Sequence, residues 1–138
     1  MKHWSVPYVG LPYKDHGRDR SGVDCWGLVV MVYRECVGIE LPSLAEDYVS
    51  PDERAEIAEL VEHKQQVGPW YEVAEPQEWD VAFFRRGKYA SHVGIVLRPG
   101  LMLHVPFDQA CIENYTSGQW APRLTGFYRH LKLGSEVA

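Results

Sequence analysis

The chain has 138 residues, 46% of them hydrophobic and 24% charged, with a formal net charge of −5. That length suits one domain over 1–138 with a real core, and the composition excludes a disordered chain. The negative balance argues against nucleic acid or an anionic membrane as partner, since both ask for a positive field.

In chain order, "MKHWSVPYVG" lacks the apolar stretch of a secretory signal, and no run of about eighteen apolar residues could span a bilayer. The expectation is a chain made in the cytoplasm. Residues 7–22, "PYVGLPYKDHGRDRSG", are rich in Pro, Gly, Asp and Ser and read as a loop. Asp24 is a favoured N-cap and Gly38 a stop signal, which predicts a helix over 25–37. Its apolar positions (Trp26, Leu28, Val29, Val30, Met31, Val32, Tyr33, Val37) cover most of the circumference, so the helix should be buried. Gly27 in the first turn weakens the helix, which points to a close approach by another backbone.

Three cysteines are an odd number for a chain that folds under reducing conditions. On one helix Cys25 and Cys36 stand roughly 16 Å apart, against the roughly 7 Å a disulfide allows. Cys36 is expected to be a small core residue. Further on, "SPDERAEIAELVEHKQQ" (50–66) predicts an amphipathic helix, with Ser50 capping, Pro51 at the first position and Glu53 closing a capping box.

From Trp79 the period changes to that of strands. "DVAFFRR" and "SHVGIVLRPGLMLHVPF" predict strands, the second broken into a hairpin at Arg98-Pro99-Gly100, and "ACIENY" and "GFYRHLKL" predict two more. Helix, helix and a run of strands argue an α+β fold, an antiparallel sheet packed on the first helix.

A helix start favours the thiolate of Cys25, because its N–H groups and dipole attract negative charge, while the adjacent Asp24 opposes it. The Cys25 N–H also lies outside the helical ladder, where it could hold an oxyanion. A base is still required. Of six histidines, His92 and His104 sit inside the apolar hairpin. A three-residue loop at 98–100 pairs Leu97 with Leu101 and sets His104 opposite Gly94. His92 then lies on the same face, roughly 7–8 Å away on the diagonal. A two-residue loop would put the two on opposite faces. Gly94 leaves room on that face for a helix end or a substrate. The other face carries Val93, Ile95, Leu97, Leu101, Leu103 and Val105. Two other readings stand beside a Cys–His catalyst: hydrogen-bonded core histidines, or zinc on one Cys and two His. The zinc reading lacks a fourth ligand and metal-type spacing, so neither metal nor cofactor is expected.

Taken in order, "PY", "GVDCWGLV" with Tyr13 twelve residues before Cys25, "WDVAFF", "SHVGIV" and "LMLHV" resemble the NlpC-type cell-wall peptidases, from Tyr8 to His104. The resemblance implies a papain-like fold in which Cys25 is the nucleophile, His92 the general base and acid, and His104 the group that orients His92. It implies supporting roles for Tyr13, whose hydroxyl would lie near the nucleophile, and for Asp24. Trp26, Ser91 and Gly94 become candidates for the substrate groove. The implied reaction is cysteine endopeptidase cleavage of peptidoglycan stem peptides, next to the D-γ-glutamyl residue, with no cofactor. Wall-turnover members carry Ser where this chain has Trp26. "DCWGLV…VYRE" followed by "GIELPS" is most similar to the phage-tail branch, which implies other tail proteins as partners and a virion tail acting at the host wall. The alternatives are a structural tail-tip or tail-assembly component with dispensable hydrolysis, or a papain-like cysteine amidase or acyltransferase using the same residues.

Overall fold

A computed structural model describes residues 3–41, 70–86 and 89–133, without the side chains of 86 and 89–91. The helix expected over 50–66 lies outside the described residues.

Asp24 opens the first helix as a true N-cap, its Oδ1 accepting the Gly27 N–H at 2.8 Å. Helix α1 runs Cys25–Val32 and continues as a π-helical turn over Tyr33–Val37. Gly38 ends it in the left-handed region at φ 78°, the conformation glycine adopts without steric cost. Trp26 to Val32 are all buried, as an apolar circumference demands. Full burial of each such side chain stabilises the fold by about 1.5–3 kcal/mol. Cys36, however, is exposed, its Sγ 3.3 Å from the Tyr8 hydroxyl. It is not the core residue expected. The π turn holds more residues per turn than an α-helix, so position 36 leaves the phase that faces the core.

The Gly-rich loop before α1 folds back on its start. Strands β1 (Arg18–Asp19) and β2 (Gly22–Val23) form a short hairpin there. A Cβ on Gly27 would collide with the Gly17 carbonyl oxygen and come within 2.8 Å of Arg18 Nη1. The close backbone approach expected from Gly27 is therefore present. Gly27→Ala gains helix propensity but must push this backbone away, so it should lower stability by about 1–3 kcal/mol in urea unfolding. An unchanged or raised midpoint would mean that the loop yields freely.

The remaining strands are β3 (Trp70–Val73), β4 (Val81–Arg86), β5 (Tyr89–Arg98), β6 (Leu101–His104), β7 (Cys111–Asn114) and β8 (Leu124–His130). They form one sheet in the order β3-β8-β4-β5-β6-β7, with every neighbour antiparallel. The expected α+β architecture is the one observed. Strand β3 was not legible: its burial does not alternate, and it joins the sheet only through β8.

Val81, Phe83, Val93, Ile95 and Leu103 share one core with α1. On the opposite face Ala82, Phe84, Val96 and Met102 pack with Tyr115 and Trp120 into a second, smaller core. The Tyr33 hydroxyl donates to the Trp79 carbonyl, tying the helix to the turn before β4. There the fully buried Asp80 accepts Nε and Nη2 of Arg129, each at 2.8 Å, which pins β8 to the same turn. A buried carboxylate needs such a partner, because desolvation without one costs several kcal/mol.

Candidate active site

The β5–β6 hairpin turns on two residues, Pro99 and Gly100, with Arg98 opposite Leu101. A two-residue turn alone would send the histidines to opposite faces. The register shifts between Val96 and Arg98, so Leu97 is an extra residue, and the pairing is restored at Val96–Met102 and Ile95–Leu103. Continued one step, that register sets Gly94 opposite His104, as the three-residue count expected. The bulge does the work assigned to the longer loop.

His92 and His104 are fully buried on this face, His92 Nε2 lying 2.8 Å from His104 Nδ1. His104 Nε2 in turn lies 2.8 Å from Glu113 Oε1 on β7. An ionised carboxylate only accepts, so His104 donates from Nε2 and its Nδ1 carries the lone pair. His92 must then donate from Nε2. Its Nδ1 is left as the basic nitrogen, the atom a general base needs. The chain of three groups thus sets the tautomer of both rings.

Trp120 encloses the pair. Its ring stacks on His92 with centroids 4.6 Å apart and meets His104 edge-on at 5.1 Å. Gly94 differs from its expected role. A Cβ there would meet Met102 Sδ at 2.7 Å and His104 Cβ at 3.3 Å, so protein fills the space meant for a helix end or a substrate. The glycine admits close packing around His104, and α1 covers the other face.

Cys25 is half-buried at the start of α1, and α1 packs along β5, the strand that carries His92. The Asp24 carboxylate accepts from Gly27 N–H and Arg18 Nη1 at 2.8 Å and from His16 N–H at 3.1 Å. The Arg18 guanidinium therefore offsets the negative charge that Asp24 would set against a Cys25 thiolate. His16 adopts φ 60°, unusual for a residue with a side chain, and this aims its N–H at Asp24.

The Tyr13 backbone N–H donates to the Asp108 carbonyl at 2.8 Å, and Tyr13 bridges Val23 beside the start of α1. Its phenol is pushed far above the ordinary tyrosine range, first by burial, then by a hydrogen bond to Asp15, with the charges of Asp15, Asp24 and Cys25 adding to both. It stays a neutral O–H within the electrostatic reach of Cys25. Trp26 packs inward, edge-to-face on Trp70 at 6.5 Å and 9% exposed, and is part of the core rather than the wall of an open groove. Ser91 directly precedes His92 on β5.

Glu113 and Trp120 escaped the sequence reading. His104 pairs with Cys111 across β6 and β7, and Glu113 stands two residues further on the same face. Only that register reveals it. The Cys111 thiol, beside the same carboxylate, is pushed up to about 11 by burial and by Glu113.

Among solved structures, the chain is similar to an NLP/P60-family lipoprotein-like protein of Staphylococcus aureus, with 26% identity, a TM-score of 0.68, and coverage of 93% of this chain and 39% of that one. It also shares the fold of the NlpC/p60 domain of the peptidoglycan hydrolase SagA, at 24% identity, a TM-score of 0.59 and 91% coverage of both chains. A Bacillus cereus NlpC/P60 family protein matches at 23% identity and a TM-score of 0.65, over 92% of this chain and 38% of that one. Among curated proteins, the probable endopeptidase p60 of Listeria grayi is 28% identical over 122 residues. That match takes in 88% of this chain but only 20% of the relative, so the chain spans about a fifth of that protein's length. The NlpC/P60 family profile matches residues 10–129, from the loop before β1 almost to the end of β8, and the chain belongs to that family.

Proposed function

We propose that the protein is a cysteine endopeptidase that cleaves peptidoglycan stem peptides. The observation that carries this reading is the hydrogen-bonded chain from His92 on β5 through His104 on β6 to Glu113 on β7, with the Cys25 helix packed along β5. Cys25 is the nucleophile, held at a helix start where N–H groups and dipole favour the thiolate. His92 takes the thiol proton at Nδ1 and returns it to the leaving amine. His104 receives the Nε2–H of His92 and passes the orientation back to Glu113. The Cys25 N–H at the start of α1 is assigned to the tetrahedral oxyanion. Water then breaks the acyl-enzyme by the reverse proton path.

The relatives named as an endopeptidase and as a peptidoglycan hydrolase support the wall peptide as substrate. Within it we assign the bond next to the D-γ-glutamyl residue. We further propose a place in a phage tail, beside other tail proteins and acting at the host wall, on the strength of the "DCWGLV…VYRE" and "GIELPS" motifs. Digestion of purified sacculi with mass analysis of the released fragments tests the reading. Peptide fragments that end at the D-γ-glutamyl bond, and vanish with Cys25→Ala, are expected. No fragments from the native protein would transfer the chain to the structural tail-component reading.

A further inference from the structure

Behind the histidine pair, three ligating side chains of different chemistry converge on one face of the β6–β7 hairpin. His104 and Cys111 face each other across the strands, and Glu113 follows on the same face. His104 Nε2, Cys111 Sγ and a Glu113 carboxylate oxygen all lie within 4.8 Å of one another. Two of the separations are 2.8 Å, from Nε2 to Oε1, and 3.6 Å, from Sγ to Oε1.

We propose that His104, Cys111 and Glu113 form a binding site for a zinc-type divalent ion, separate from the Cys25 thiol. Imidazole, thiolate and carboxylate are together the zinc donor set, whereas magnesium and calcium select oxygen alone. Tetrahedral ligands at zinc bond lengths stand about 3.3–3.8 Å apart, so small rotations of the half-buried Cys111 and Glu113 close the triangle. The support behind the site is already built. A metal-bound histidine needs its other nitrogen held, and His104 Nδ1 is held by His92 while Trp120 fixes the ring. An ion would enter past Cys111 and Glu113, which are half-buried, to reach the fully buried His104. Water completes the fourth position.

Binding has a defined proton balance. The Cys111 thiol proton leaves to solvent, and the ion takes the Nε2 lone pair of His104. His104 must then carry its proton on Nδ1 and donate to His92 Nε2, which moves the proton of His92 to Nδ1. The two rings keep two protons between them, but each has changed nitrogen. On the catalytic reading proposed above, the basic lone pair of His92 is lost and hydrolysis stops, without the ion touching Cys25.

Cobalt(II), titrated into the full-length protein, serves as the probe. One equivalent should produce tetrahedral visible bands and a thiolate-to-cobalt charge-transfer band. That band should persist in Cys25→Ala and disappear in Cys111→Ser, and Glu113→Gln should weaken binding about 10–100-fold. Zinc should compete the cobalt away. In the sacculus assay the zinc concentration that halves activity should rise at least about tenfold in Cys111→Ser. A charge-transfer band that survives Cys111→Ser, that is lost in Cys25→Ala, or that never forms overturns the site. Should the protein prove to have no hydrolytic activity, the cobalt spectra still decide the metal question by themselves.

Discussion

Cys25→Ser is expected to lower peptidoglycan hydrolysis by roughly 10^4-fold or more while leaving the fold intact. The substitution exchanges sulfur for a smaller oxygen at a half-buried position, so packing changes little. The chemistry changes greatly. A helix start favours a thiolate, whereas a serine hydroxyl would need several more kcal/mol to reach its anion. Alkylation tests the same point without substrate. Iodoacetamide at neutral pH should label Cys25 far faster than Cys111, whose thiol is pushed up to about 11 and so presents almost no thiolate. It should also outpace Cys36, which is exposed but lies outside any helix start. Equal rates at all three cysteines would remove the activated nucleophile from the proposal.

The second large effect is graded along the histidine chain. His92→Ala should cost about 10^2–10^4-fold in turnover, the range for losing a positioned general acid and base. His104→Ala should cost less, about 10–100-fold, because it acts through His92. Glu113→Ala should fall in the same range or below it, one further step from the bond being cut. His104→Gln should recover part of the loss, since an amide oxygen accepts the Nε2–H of His92. A structural role alone could mimic falling activity, so the decisive readout is spectroscopic. Nitrogen-15 shifts in the native protein should report His92 protonated at Nε2 and unprotonated at Nδ1, or protonated at both when paired with the thiolate. In Glu113→Ala the His104 ring loses the acceptor that fixes its tautomer, and the single His92 form should give way to a mixture. Unchanged nitrogen shifts in that variant, or full activity in His104→Ala, would return the pair to the standing of core histidines.

The gradation also separates the catalytic reading from the metal site. Cys111 belongs only to the second, and Cys25 only to the first. His104 and Glu113 belong to both, which is why a bound ion would be felt at His92.

The sequence by itself determined the elements whose signals are local. Asp24 and Gly38 bound the helix because a cap and a left-handed stop are decided by neighbouring residues. Gly27 announced a backbone contact because nothing else justifies a glycine in a buried first turn. The shared face of His92 and His104 was legible although the turn was not. Counting three loop residues and counting two plus a bulge at Leu97 have the same parity, and the alternating apolar residues that bury the other face demand that parity. Tertiary structure alone decided what lies across longer connections. Glu113 reaches His104 over the 105–110 segment, and no rule of loop length sets the register of such a connection. Trp120 covers the pair from beyond β7, and Met102 fills the space over Gly94, because packing density leaves no void on a buried face. Cys36 turned outward because the helix end widened into a π turn, which no local signal announces. Local signals thus singled out Cys25, His92 and His104, while only the strand register brought Glu113 to His104.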